Sequence, residues 1–179
     1  MQDVFIEYMV KRRRTLSTSL AKFGIAAGSA IIAFAAFTLS LSLGPLSFIG
    51  VLAAFAALWG AHRFITGFNV EYEYSLTNGE MDVDKIIAER RRKRLISIKL
   101  REVEDFGRFK TGEHENKIYQ QKIFACDHPA SEDLWFVVTN VKDKGMALIV
   151  FNASERMIDG SKPYLPRPIF HRVFQNRVI

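Results

Sequence analysis

The spacing of hydrophobic and polar positions changes along this chain, and each change marks a different kind of element. Val4, Phe5, Tyr8, Met9 and Arg12 fall at helical intervals. Residues 1–22 therefore read as a basic juxtamembrane segment. Within it, residues 4–22 are either an interfacial helix, with Lys11, Arg12, Arg13 and Arg14 at phospholipid headgroups, or a charged flank without structure of its own. From Phe23 to His62 there is no Asp, Glu, Lys or Arg, whereas a helix on the surface of a soluble core would carry charges every few residues. Phe23–Leu43 and Leu46–Phe64 are 21 and 19 residues long, close to the roughly 20 residues that cross the ~30 Å hydrocarbon layer. Gly44 can end the first helix and Pro45 can open the second, which gives a tight transmembrane hairpin over residues 23–65. Gly24, Ala27, Gly28 and Ala30 in one span, and Gly50, Ala53, Ala54 and Ala57 in the other, allow close helix contact. Two spans separated by a bare turn do not resemble a cleaved signal peptide, and one long helix would overshoot the bilayer.

Past the second span the period drops to two. Val70, Tyr72, Tyr74 and Leu76 alternate with polar residues up to Asn78-Gly79, the strongest short hairpin signal, and Met81 and Val83 resume the alternation beyond it. A two-residue turn sets Leu76 against Met81 and Tyr74 against Val83, so both apolar sets share a face, while Glu71, Glu73, Asp82 and Asp84 make the other face acidic. The next strand, Arg94–Leu100, places Ile96, Ile98 and Leu100 together, after a turn near residues 88–92. Residues 101–109 read as a helical turn or a loop. Lys117–Cys126, Leu134–Val141 and Gly145–Asn152 read as further strands. Ser154 caps a short helix, Glu155–Ile158, and Ile169, Phe170, Val173 and Phe174 can share a helical face near the end. Residues 68–179 are thus expected to form one antiparallel β domain of five to seven strands.

The formal charge of +6 looks like that of a nucleic-acid-binding protein, but it is unevenly placed. Residues 1–67 hold six basic and two acidic side chains, net +4, while residues 68–179 hold 19 and 17, net +2. A nucleic-acid-binding domain should itself be clearly basic, and no aromatic residue interrupts the stretch between Tyr74 and Phe106, so nucleic acid is not an expected partner. Basic residues flank both spans and none lies in the turn between them, which orients both termini to the cytosol of a cell membrane. Trp59, His62 and Arg63 close the second span as membrane-interface anchors.

The run Arg90, Arg91, Arg92, Lys93 and Arg94 admits two accounts. It is either a surface for anionic lipid or the charge complement of its own acidic neighbours and a solvated turn. The single cysteine excludes an intrachain disulfide, and Cys126-Asp127-His128 lacks the four spaced ligands of a zinc site, so no metal or cofactor is expected. No nucleophile elbow, phosphate-binding loop or zinc-protease motif occurs. Trp135 and Phe136 are adjacent in a strand and must face opposite sides, one toward a core and the other available to a partner.

The order of a basic leader with "EYMVKRR", a two-helix hairpin and then "YSLTNGEMDVDK…RRKRLISI" resembles the bacterial pleckstrin-homology-like membrane proteins, most closely their small two-span members. The resemblance implies an α+β chain in which the hairpin is followed by a small, bent PH-like β-sandwich or barrel with a short helical element. Pro163, Pro166 and Pro168 interrupt the place of the family's usual C-terminal helix. It also implies a non-enzymatic scaffolding or binding role, with a protein partner or second copy at the inner membrane face, or alternatively an anionic phospholipid.

Overall fold

The computed structural model describes residues 4–42, 44–114, 117–142 and 145–175. The chain forms two compact units, one running from Arg13 to Asn69 and the other combining the chain up to Arg12 with everything from Val70 onward.

The first unit is a helical hairpin of α1 (Leu16–Ser40) and α2 (Ser47–Gly67), with a 3₁₀ turn at Gly44–Leu46. Both helices are long and apolar enough to cross a membrane. Helix α1 begins at Leu16, well before the expected Phe23, and Lys22 inside it donates a 2.8 Å hydrogen bond to Asn69 Oδ1. Ile25, Ser29, Ala33, Ala36 and Ser40 on α1, and Ser47, Gly50, Ala54, Ala57 and Ala61 on α2, form covered stripes at three- and four-residue spacing. A Cβ on Gly50 would lie 2.3 Å from the Ser40 Cβ and 2.6 Å from the Ala36 carbonyl oxygen, so the absence of a side chain there sets the approach of the backbones. Of the small residues singled out by sequence, Gly50, Ala54 and Ala57 lie on this stripe. Gly24, Ala30 and Ala53 face outward, because the contact follows the helical repeat and not residue size alone.

The β unit departs from the sequence reading at its first element. Residues 5–11 are neither an interfacial helix nor an unstructured flank but strand β1 (Phe5–Lys11), paired antiparallel with β2 (Val70–Thr77) on the far side of the helical hairpin. Ile6 faces Leu76, Tyr8 faces Tyr74 and Lys11 faces Glu71. The alternation Ile6, Tyr8, Val10 competes with the helical spacing over these few positions. Burial decides between them, since Ile6 enters the core and the Tyr8 ring stacks on Tyr74 at 6.2 Å. A domain that began at residue 68 would lack this edge strand.

The Asn78-Gly79 hairpin follows expectation, whereas the strand after it starts at Arg91 and not at the expected Arg94. Strand β3 (Glu80–Ile87) returns from the Asn78-Gly79 turn, where φ is +48° and +89°, with Leu76 opposite Met81 and Tyr74 opposite Val83. A second turn uses Ala88 and Glu89 in left-handed geometry and leads to β4 (Arg91–Lys99). The order of this sheet is β1-β2-β3-β4.

After a 3₁₀ turn at Leu100–Glu102 the second sheet begins with β5 (Val103–Arg108), followed by β6 (Gln121–Ala125), β7 (Leu134–Val141) and β8 (Gly145–Asn152). Its order is β5-β7-β8-β6, and β6 runs parallel to β8, so the domain is not wholly antiparallel as expected. Phe109 and Tyr119 pack on the outer face of this sheet, and β6 lies at its edge, where the local pattern gives no sign of which way the strand will run.

The two sheets share one core of Tyr74, Leu76, Ile98, Phe106, Trp135, Ile149 and Phe151, with Met157 and Ile158 packed against it. Burial of each large apolar side chain here contributes about 1.5–3 kcal/mol. Ser154 accepts from the Met157 amide and caps α3 (Glu155–Ser161), which runs through Asp159-Gly160. A Cβ on Gly160 would lie 2.5 Å from Ile6 Cδ1, so α3 rests directly on β1. After α3 come a 3₁₀ turn at Lys162–Tyr164, the short helix α4 (Arg167–Phe170) with Pro168 in its first turn, and one π-helical turn, His171–Gln175.

Candidate functional site

The acidic face of the first sheet is where the basic run acquires its structure. Glu71, Glu73 and Asp84 are only 7%, 7% and 4% exposed, an unusual depth for carboxylates on an outer face. Arg92 Nη2 approaches the two Glu73 oxygens at 2.7 and 2.5 Å. Arg94 donates to Asp84 from Nε at 2.5 Å and lies 2.7 Å from Asp82 through Nη1. Lys11 Nζ meets Glu71 at 2.8 Å, and that pairing holds its ammonium pKa above the ordinary lysine value.

A β-bulge between Val83 and Asp84 makes this possible. Val83 faces Ile96, but Asp84 faces Arg94, so Leu95 is the extra residue on β4. Without it the alternation that sends Ile96 and Ile98 inward would send Arg94 inward too.

The remaining basic residues fall elsewhere. Arg90 occupies the β3–β4 turn, Arg91 faces Ile87, and Lys93 lies directly opposite Lys85. None of these four cations has a carboxylate partner among the described residues, and like charges facing across a ladder repel. This cluster lies at one end of the sheet, where Val70 pairs with Ile87 and the Arg12 amide donates to the Val70 carbonyl at 2.9 Å. The chain leaves for α1 and returns from α2 at that same end. Arg13 and Arg14 continue from Arg12 into the helical unit, while Trp59, His62 and Arg63 are exposed on α2.

A second constellation had no sequence signal. His114 is 5% exposed, lies nearly parallel to the Phe109 ring at 5.7 Å, and packs edgewise on Phe136 at 4.2 Å. Its Nδ1 shares a 2.8 Å hydrogen bond with the Tyr119 hydroxyl, while Nε2 is buried without a hydrogen-bond partner. Burial, followed by the Lys117 charge, pushes the imidazole pKa below its ordinary value, so the ring is held neutral. Phe109, His114 and Tyr119 are five residues apart, a spacing that matches no secondary-structure period. Beside them opens a pocket of about 190 Å³ walled by Phe109, His114, Phe124, Pro129 and Leu148.

This cover also corrects the expectation for Trp135 and Phe136. They do face opposite sides, Trp135 toward the shared core and Phe136 toward the cluster with Leu134, Val138, Leu148 and Val150, but both are buried. Cys126-Asp127-His128 is a loop closure. The Asp127 amide donates to Asn152 Oδ1 at 2.9 Å, Ser131 and Asn152 both donate to Asp127 Oδ1, and burial pushes the Cys126 thiol up to about 11. No three His, Cys, Asp or Glu side chains among the described residues converge to hold a metal ion.

Comparison with known proteins bears on the whole chain. No curated protein and no solved structure matches it. A family model does match, over residues 2–171, a range that takes in β1 and the helical hairpin as well as the later strands. With its two-sheet core, short closing helix and this match, the chain belongs to the family described as Bacterial PH-like domain (DUF6106).

Proposed function

We propose that this protein is a two-pass, non-enzymatic anchor of the bacterial cell membrane whose PH-like domain binds anionic headgroups. The observation that carries the reading is the cluster of Lys85, Arg90, Arg91 and Lys93, with Lys85 and Lys93 opposed across a ladder at the end of the sheet where the chain departs for α1 and returns from α2. Near an anionic leaflet each such cation contributes about 1 kcal/mol, so four contribute about 4 kcal/mol at low salt. Arg92 and Arg94 are excluded from this surface because they are committed to Glu73, Asp84 and Asp82. Pairing of β1 with β2 supports placing both flanks of the hairpin on one side of the membrane, since strands cannot pair across a bilayer. The basic flanks support assigning that side to the cytosol.

The test uses the full chain in nanodiscs, with a nitroxide at Glu89→Cys in a Cys126→Ala background. In phosphatidylglycerol discs the label should be shielded from a soluble nickel chelate. High salt, or Glu at Arg90, Arg91 and Lys93 together, should release it. Equal accessibility in phosphatidylcholine and phosphatidylglycerol would refute the lipid reading.

A second reading, a protein partner, is favoured by a separate observation. Phe124, which walls the His114 pocket, is 42% exposed, and Ile118, four residues along the chain from His114, is 91% exposed.

A further inference from the structure

The geometry points to the His114 pocket as the docking site for one hydrophobic side chain, aromatic or branched aliphatic, of a partner polypeptide that carries a carboxylate next to it. This rests on the second reading above and gives it a place and a chemistry.

The pocket holds about 190 Å³, and an apolar cavity of about 150 Å³ is enough to bind benzene. There is therefore room for one ring or one leucine-sized group. Its walls are ready-made. Phe109 is fixed by its stack on His114 and by an edge contact with Phe124 at 6.2 Å, and His114 is fixed by Tyr119 and Phe136. A wall held by its own neighbours costs little to organise when a ligand arrives.

The charge at the mouth selects what accompanies the apolar group. Lys122 lines the pocket and is exposed, with its ammonium 5.8 Å from the Tyr119 ring centroid and no carboxylate partner among the described residues. A carboxylate beside the anchoring side chain meets this ammonium, whereas a basic flank is repelled.

The surroundings favour a polypeptide over a free small molecule. Phe124, a wall of the pocket, is itself 42% exposed, so apolar surface continues outside the hole, and a ligand that filled only the pocket would leave it in water. A partner segment covers both.

The experiment measures fluorescence anisotropy of a labelled peptide with one Phe between two Glu residues, titrated with the full chain in phosphatidylcholine nanodiscs. Wild type should bind saturably, and the same peptide with Ala for Phe should not. T111W fills the pocket from its exposed rim and should abolish binding. K122E should weaken it roughly three- to tenfold. Binding that survives T111W but is lost in I118D would overturn the pocket and leave the apolar surface as the partner site. Displacement of the peptide by phenylacetate at equal concentration would overturn the polypeptide assignment. No binding of the peptide up to millimolar chain would overturn both the pocket and the partner reading.

Discussion

Replacing Arg94 with Met keeps most of the aliphatic stem and removes the guanidinium from above Asp84. The Asp84 side chain is 6% exposed and would lose donors at 2.5 and 3.3 Å, keeping only the Arg92 contact at 3.9 Å. A hydrogen bond to a charged group contributes about 1.5–3 kcal/mol. Because Arg94 is itself about half exposed, the low end applies, and the contact with the more exposed Asp82 adds about 0.5 kcal/mol. R94M should therefore cost about 2 kcal/mol, a fall in Tm of about 5–10 °C for a domain of this size. R91M should move Tm by little, since surface changes without a partner stay within about 0.5 kcal/mol. Trp135 fluorescence on the full chain in micelles, in a Trp59→Phe background, reports unfolding of the β unit. D84N added to R94M should recover part of the loss, because the neutral amide no longer needs a cation. Equal Tm values for R94M and R91M would refute the reasoning. They would mean that the bulge at Val83/Asp84 does not divide the basic run into structural and free residues.

Three further outcomes are expected. Because the Arg12 amide bonds the Val70 carbonyl at 2.9 Å, replacing residues 13–69 by Asn-Gly should close a β1–β2 hairpin. The product should be a soluble monomer by size-exclusion chromatography, whereas residues 68–179 alone, without β1, should aggregate through the open β2 edge. Gly50→Ile drives a side chain into Ser40 and Ala36 and should cost the helical hairpin about 1–3 kcal/mol, read as lost compactness on SDS gels, while Gly24→Ala, with nothing within 4 Å, should be neutral. His114 has a folded pKa below its unfolded one, so the unfolded chain binds the proton first. Stability is then complete above the ordinary histidine pKa and falls as pH drops from there toward the folded value, so the Tm difference between pH 7.5 and 5.5 should shrink in His114→Gln.

Some of this protein was legible without its structure because the signals were local. An uncharged stretch from Phe23 to His62 admits a helical hairpin and little else. Asn78-Gly79 between alternating strands sets turn, register and face together, and the observed pairs Leu76–Met81 and Tyr74–Val83 are those the alternation requires. The acidic face opposite that apolar one could likewise be read from the chain, as could its match to part of the basic run. What the sequence could not decide depended on partners distant along the chain. Strand β1 is a strand because β2, on the other side of the hairpin, offers it an edge and a core, while its own few residues fit two periods equally well. A single extra residue at Leu95 reverses the facing of Arg92 and Arg94, an offset that no local pattern displays. His114 is enclosed only in the folded chain, where Phe109, Tyr119 and Phe136 come around it. Periodicity records which way a side chain faces within its own element; which element lies opposite is set by burial and pairing over the whole chain.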